Sequence, residues 1–167
     1  MQYMRLDPPS RAALLAELAA MPGFLRDTFA GLAADARLRR GPGGEFAPVE
    51  QVWHLADLED EGFGYRIDRL LNTPEPALPD FDGSAVAEAR NYRALSLEAG
   101  LEKFARARAA NLRALGAVGD EAWSRSGTQE GVGPVTLCDM PLFLAQHDRA
   151  HKAEIEAWLA SDRESLR

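Results

Sequence analysis

The chain has 167 residues, 46% of them hydrophobic and 27% charged, with a single cysteine. That length and apolar share suit one compact domain, residues 1–167, and argue against intrinsic disorder, while one cysteine excludes an internal disulfide. The balance of 19 basic against 26 acidic residues, a net charge of −7, excludes nucleic-acid binding through phosphate contacts as the expected role.

No apolar run reaches the roughly 18 residues that a membrane span needs, and the opening "MQYMRLDPPS" has no signal-peptide core. The expected setting is cytoplasmic. Glycine and proline concentrate in residues 40–48, 72–84 and 124–134. The segments between are rich in Ala, Leu, Arg and Glu and poor in β-branched residues, so helices are expected throughout and strand signals are almost absent.

The first helix is expected from about Ser10, as N-cap, to Arg37, with a kink or a division into two consecutive helices at Met21-Pro22-Gly23. Arg37, Arg39 and Arg40 then read as cations at a helix end. A second helix starts at Pro48, favoured at the first helical position, carries Glu50 in its first turn and runs to Asn72, packing through Val52, Leu55, Leu58, Tyr65 and Leu70. A third spans about 84–117 with a break near Ser96, a cap for the apolar series Leu97, Leu101, Phe104, Leu112 and Leu115. The fourth begins between Thr136 and Asp139, where "TLCD" resembles a capping box, and ends near Ala160. Four long helices joined by loops of roughly ten residues define an all-α, four-helix-bundle expectation.

The chain has three histidines. His147 and His151 lie one turn apart, with Cβ atoms expected about 5–6 Å from each other, and Leu144, Ile155 and Trp158 continue the same side of the helix. Metal–imidazole bonds are about 2.0–2.1 Å, so such a pair can share one ion. His54 sits among apolar residues of the second helix and meets the pair if it faces the core. Three protein ligands with an open position is the catalytic rather than the structural zinc pattern. "HDRAH" lacks the glutamate of HExxH, which removes a zincin protease. Binding is expected to weaken below the ordinary imidazole pKa of about 6.5.

"APVEQVWHLADLE" (47–59), the Tyr65-x-Ile67-x-x-Leu70-Leu71 run, and "GPVTLCDMPLFLAQHDRAHKAEIEAWL" (133–159) together resemble the DinB-like (DinB/YfiT) superfamily over roughly Phe46 to Leu159. The resemblance implies a four-helix bundle of that type, commonly a homodimer, with a divalent metal held by His54, His147 and His151. Zinc is the expected ion, with nickel, iron and manganese compatible. It also implies a small-molecule substrate. Characterised members include metal-dependent hydrolases and transferases that use bacillithiol, mycothiol or glutathione, so a low-molecular-weight-thiol S-transferase is the leading expectation. A hydrolase, or a non-enzymatic metal-binding or interaction module, is the alternative.

Asp57 and Glu61 follow His54 by three and seven residues and are the candidates to orient a ligand imidazole or act as general base. Glu154, three residues after His151, is a similar orienting candidate. Glu59, Asp60 and Asp148 read as solvated. Cys138 lies about 13.5 Å along the axis from His147 and reads as a packed residue. Arg90, Tyr92, Arg106, Arg108 and Asn111 are candidates to line an anionic pocket, with an exposed face expected for most. Trp53 and Trp158 read as packing, and Trp123 as packing or as a cover over the site entrance.

Overall fold

The computed structural model describes residues 6–165, so the first five residues of the segment read above for a signal peptide lie outside the described residues. α1 spans Pro8–Phe29. Its N-cap is Asp7, whose side chain accepts from the Ser10 amide, so the helix starts three residues before the expected Ser10 cap. The helix ends at Phe29 rather than Arg37, and Gly31 follows in left-handed backbone (φ +72°). Arg37, Arg39 and Arg40 therefore lie beyond it, around a 3-10 turn at Ala36–Leu38. Pro22 is contained within the helix.

α2 (Pro48–Asp57) begins at the expected proline, and Glu50 accepts from the Ala47 amide at 2.9 Å to seal its first turn. The rod then widens into a π-helical segment, Leu58–Gly64, before resuming as α3 (Tyr65–Asn72). The cause is local. Asn111 donates to the Glu59 carbonyl at 2.9 Å, occupying an acceptor of the helical ladder, and a Cβ on Gly64 would stand 3.2 Å from the Asn111 side chain. The π turn shifts the helical phase downstream, and Tyr65, expected in the core, is exposed.

α4 (Gly83–Arg90) buries none of its residues. Ser96 caps α5 (Leu97–Gly116) as expected, through the Ala99 amide. A small sheet, unexpected from the sequence, joins β1 (Ala77–Leu78), β2 (Ser126–Gln129) and β3 (Gly133–Thr136). β1 pairs parallel to β2, with Ala77 opposite Thr128, and β2 pairs antiparallel to β3, with Gly127 opposite Val135. α6 (Asp139–Ser165) has the acidic half of a capping box, Asp139 accepting from the Thr136 amide at 2.7 Å, and runs five residues past the expected end.

The bundle packs α1 against α5 and α6, and α2 with its π extension against α5. One core cluster gathers Leu18, Ile67, Leu70, Leu115, Leu137 and Leu144; the other gathers Met21, Leu25, Val52, Leu55, Phe104 and Ile155. Trp123 belongs to the first, below the Arg11 guanidinium. Among the described residues no helix is long and apolar enough to cross a membrane.

Candidate metal centre

The helical phase of α2 and α6 brings the three histidines together. His147 Nε2 lies 3.3 Å from His54 Nε2 and 3.1 Å from His151 Nε2. The donor atoms of all three fall within 4.8 Å of one another. Bonds of about 2.05 Å at tetrahedral angles put neighbouring ligand nitrogens about 3.3 Å apart, so the spacing fits one shared cation. Without a cation, each close pair is satisfied only if one ring donates to the other, and three converging Nε2 atoms cannot all be paired in that way.

The tautomer of His151 is set from behind. Its Nδ1–H donates to Gln51 Oε1 at 2.6 Å and faces Glu154 Oε2 at 3.2 Å, and Gln51 Nε2 donates to the same Glu154 oxygen at 2.7 Å. The Nε2 lone pair is thereby left pointing inward. His54 is held by shape. The Phe46 ring centroid is 5.4 Å from its own, and Gly83, at the start of α4, leaves room where a Cβ would stand 2.4 Å from His54 Cε1. Among the described residues the buried His54 Nδ1 has no hydrogen-bond partner.

Burial is the main force on the imidazole pKa values. It lowers His54 to about 4, assisted by repulsion from His151 and opposed by Asp57. It lowers His147 to about 3, assisted by His151, His54 and Arg108. His151 is also lowered by burial, against the pull of Glu154 and Asp148. All three are neutral, and so competent as ligands, at pH 7.

Asp57 is buried beside this cluster but turned to other partners. Its oxygens accept from Lys103 at 2.6 Å, Arg90 at 2.6 Å and the Tyr92 hydroxyl at 2.7 Å. Burial alone would raise its pKa, and these hydrogen bonds outweigh it and hold the carboxyl below the usual range. Glu61 forms a bidentate pair with Arg90 at 2.7 and 2.8 Å, which lowers its pKa. Neither carboxylate hydrogen-bonds a cluster imidazole among the described contacts.

Glu59 and Asp148, expected in solvent, are buried. Arg108, 1% exposed, donates to Asp148 at 2.7 and 3.0 Å, to Glu59 at 2.8 Å and to the Leu18 carbonyl at 2.9 Å. Burial raises the Glu59 pKa against the attraction of Arg108. Because Asp148 adjoins His147 on α6, this pairing helps set the rotation of the histidine-bearing face. Of the helix residues considered for an anionic pocket, Arg108 and Asn111 are thus internal ties, Arg90 pairs with the Asp57 group, and Arg106 is exposed beside Glu102. Tyr92 lines a cavity next to the cluster. Trp53 donates to the Ser96 carbonyl and stacks on Tyr92, Trp158 packs on Phe29, and Cys138 is buried. Trp123 does not stand over the histidines as a cover, because its ring is committed to the core cluster around Leu70 and Leu115. Gln51 was missed at the sequence level. Its signal was its place one turn before His54, facing the Glu154 position of α6.

The fold and site define a helical bundle with a three-histidine cluster, His151 buried and His54 and His147 half-buried, set between two helices. The family model of the DinB superfamily matches residues 17–155, and the chain belongs to that superfamily. A solved structure, YfiT from Bacillus subtilis, described as a probable metal-dependent hydrolase with an unusual four-helix bundle topology, matches with a TM-score of 0.87 and 17% identity. The match covers 99% of this chain and 93% of that one, and at this identity it is a likeness of fold. No curated protein matches the chain by sequence.

Proposed function

We propose that His54, His147 and His151 hold one divalent cation and that the chain is a metal-dependent enzyme acting on a small molecule. The observation that carries this reading is the convergence of three Nε2 atoms at 3.1 and 3.3 Å, with His151 locked in the tautomer that presents its lone pair. Zinc fits an all-imidazole set, and nickel, iron or manganese are compatible with it. Bound there, such an ion supplies Lewis acidity and lowers the pKa of a water or thiol.

The surrounding residues have distinct parts. Gln51 and Glu154 orient His151. Asp57 places negative charge near His54, favouring a cation at its Nε2, while Lys103 and Arg90 keep Asp57 and Glu61 ionised. Asp57, Glu61 and Glu154 are each engaged as acceptors, which makes them poor candidates for a general base. That favours a nucleophile that ionises without a protein base, and the first reading is S-transfer from a low-molecular-weight thiol to an electrophile. Hydrolysis is the second reading, supported by the description of the YfiT fold relative. A homodimer is the proposed assembly, by the family resemblance.

The test is a panel of bacillithiol, mycothiol and glutathione with monochlorobimane, comparing metal-loaded wild type with His147→Ala. Metal-dependent acceleration with one thiol, lost in the variant, is expected. No acceleration with any thiol would remove the transferase reading and leave hydrolysis.

A further inference from the structure

A cavity of about 350 Å³ opens beside the histidine cluster between the α2 N-terminus, the preceding loop and α4; its walls include Arg40, Phe46, Glu50, Ser84, Glu88 and Arg93. That volume lies in the range of small-molecule sites. One wall, Phe46, packs on the His54 ring, and another, Ser84, follows Gly83, which backs the same ring.

The charge of this cavity is organised around one buried carboxylate. Glu50 is 4% exposed and accepts from Arg40 at 3.0 Å and from Arg93 at 3.2 Å. Arg93 is further fixed by donating to the Leu38 carbonyl at 2.8 Å. Two guanidiniums therefore share one partner, and their side chains remain 54% and 42% exposed. Glu50 and His54 are four residues apart on α2, so they lie on one face about 5–6 Å apart at Cβ. Arginine presents planar, paired donors suited to carboxylate and phosphate.

We infer that Arg40 and Arg93 form an anion-binding subsite that holds a carboxylate or phosphate of the substrate one helical turn from His54. The substrate class is then a small organic anion whose reacting group lies within a few bonds of its charge. Glu50 is a positioning residue: it holds both guanidiniums in place, and the second positive charge it leaves uncompensated is the one the ligand meets. Glu88, exposed on α4 at the same cavity, opposes the anion and limits its affinity. The use of this subsite in catalysis rests on the proposed metal function, whereas anion binding does not.

The experiment is therefore run on metal-free, isotope-labelled protein. Inorganic phosphate and succinate are titrated separately while the Asn91 and Ser84 amides and the Arg93 Nε–H are followed by NMR. Saturable shifts are expected with at least one of the two anions, and which one separates phosphate from carboxylate recognition. Arg93→Gln and Arg40→Gln should each weaken binding about tenfold, the size of one charge-assisted hydrogen bond. Glu88→Gln, a surface change that leaves the fold intact, should tighten it. Non-saturating shifts for both anions in the wild type, or equal affinity in wild type and Glu88→Gln together with either arginine variant, would overturn the subsite. Should anions bind and the zinc titration of the same sample fail, the metal reading falls and the subsite stands.

Discussion

Gly83→Ala tests the cluster without removing a single ligand. A Cβ at this position would sit 2.4 Å from His54 Cε1 and 2.7 Å from Nδ1, whereas ordinary contacts begin near 3.4 Å. The ring or the helix must therefore give by about 1 Å, the difference of those two values. Metal–nitrogen bonds tolerate about 0.2 Å, so a ring displaced that far loses its bond or tilts it badly. Zinc affinity is expected to fall about 10- to 100-fold, the effect typical of disturbing the support of a ligand histidine. Folding stability should fall far less than metal affinity, since alanine's better helix propensity, worth at most about 1 kcal/mol, offsets part of the clash and Gly83 has no positive φ to lose. The assay is competition for zinc against a chromophoric chelator, paired with thermal melting of the metal-free protein. Wild-type zinc affinity in a folded Gly83→Ala protein would refute the reasoning, because it would mean that α4 yields and does not hold His54.

Metal retention should depend on pH less than an exposed histidine cluster would. An ordinary imidazole of pKa about 6.5 loses about thirtyfold in ligand availability at pH 5, but His54 and His147 stay neutral to about 4 and 3. Equilibrium dialysis should find zinc lost at a lower pH than the 6.5 expected from the sequence, since burial lowers all three imidazoles; release between pH 7 and 6 would contradict the burial argument. The metal-free protein should become less stable as pH falls from 6.5 towards 4. In that window the unfolded chain binds protons that folded His54 and His147 refuse, a slope of up to about 1.4 kcal/mol per pH unit for each group. Denaturant melts across the window check the sign. Arg108→Met should cost about 3–5 kcal/mol at pH 8, since it leaves Glu59 and Asp148 buried without their counter-ion. The loss should shrink at lower pH as one carboxyl takes up a proton, and a cost under about 1 kcal/mol at pH 8 would show that the triad is dispensable.

The helices and the histidine cluster were legible because both follow from spacing. Residues four apart share a helix face whatever surrounds them, so His147 and His151 announced their face, and Leu144, Ile155 and Trp158 announced its direction. The buried charges were not legible. Glu59 and Asp148 are in the core only because Arg108, 40 or more positions away, comes to meet them, and one helix's periodicity carries no information about a partner on another. The π segment defeated extrapolation along the second helix: a wheel drawn from His54 is out of phase by Tyr65, which is why that residue is exposed and why Glu61 could not be placed by counting. The sheet escaped because β1 has two residues and β2 and β3 lack an apolar alternation; the Gly131-Val132-Gly133 turn, with both glycines at positive φ, was its one local signal.

The most direct test of the central claim is X-ray absorption at the metal edge of the protein as purified, with metal content measured on the same sample. One divalent ion per chain is predicted, with three imidazole nitrogens at about 2.0–2.1 Å and at least one further light ligand, and with both the metal and the imidazole signature lost in His151→Ala. A stoichiometric metal with fewer than three imidazoles, or equal metal content in wild type and His151→Ala, would contradict the account.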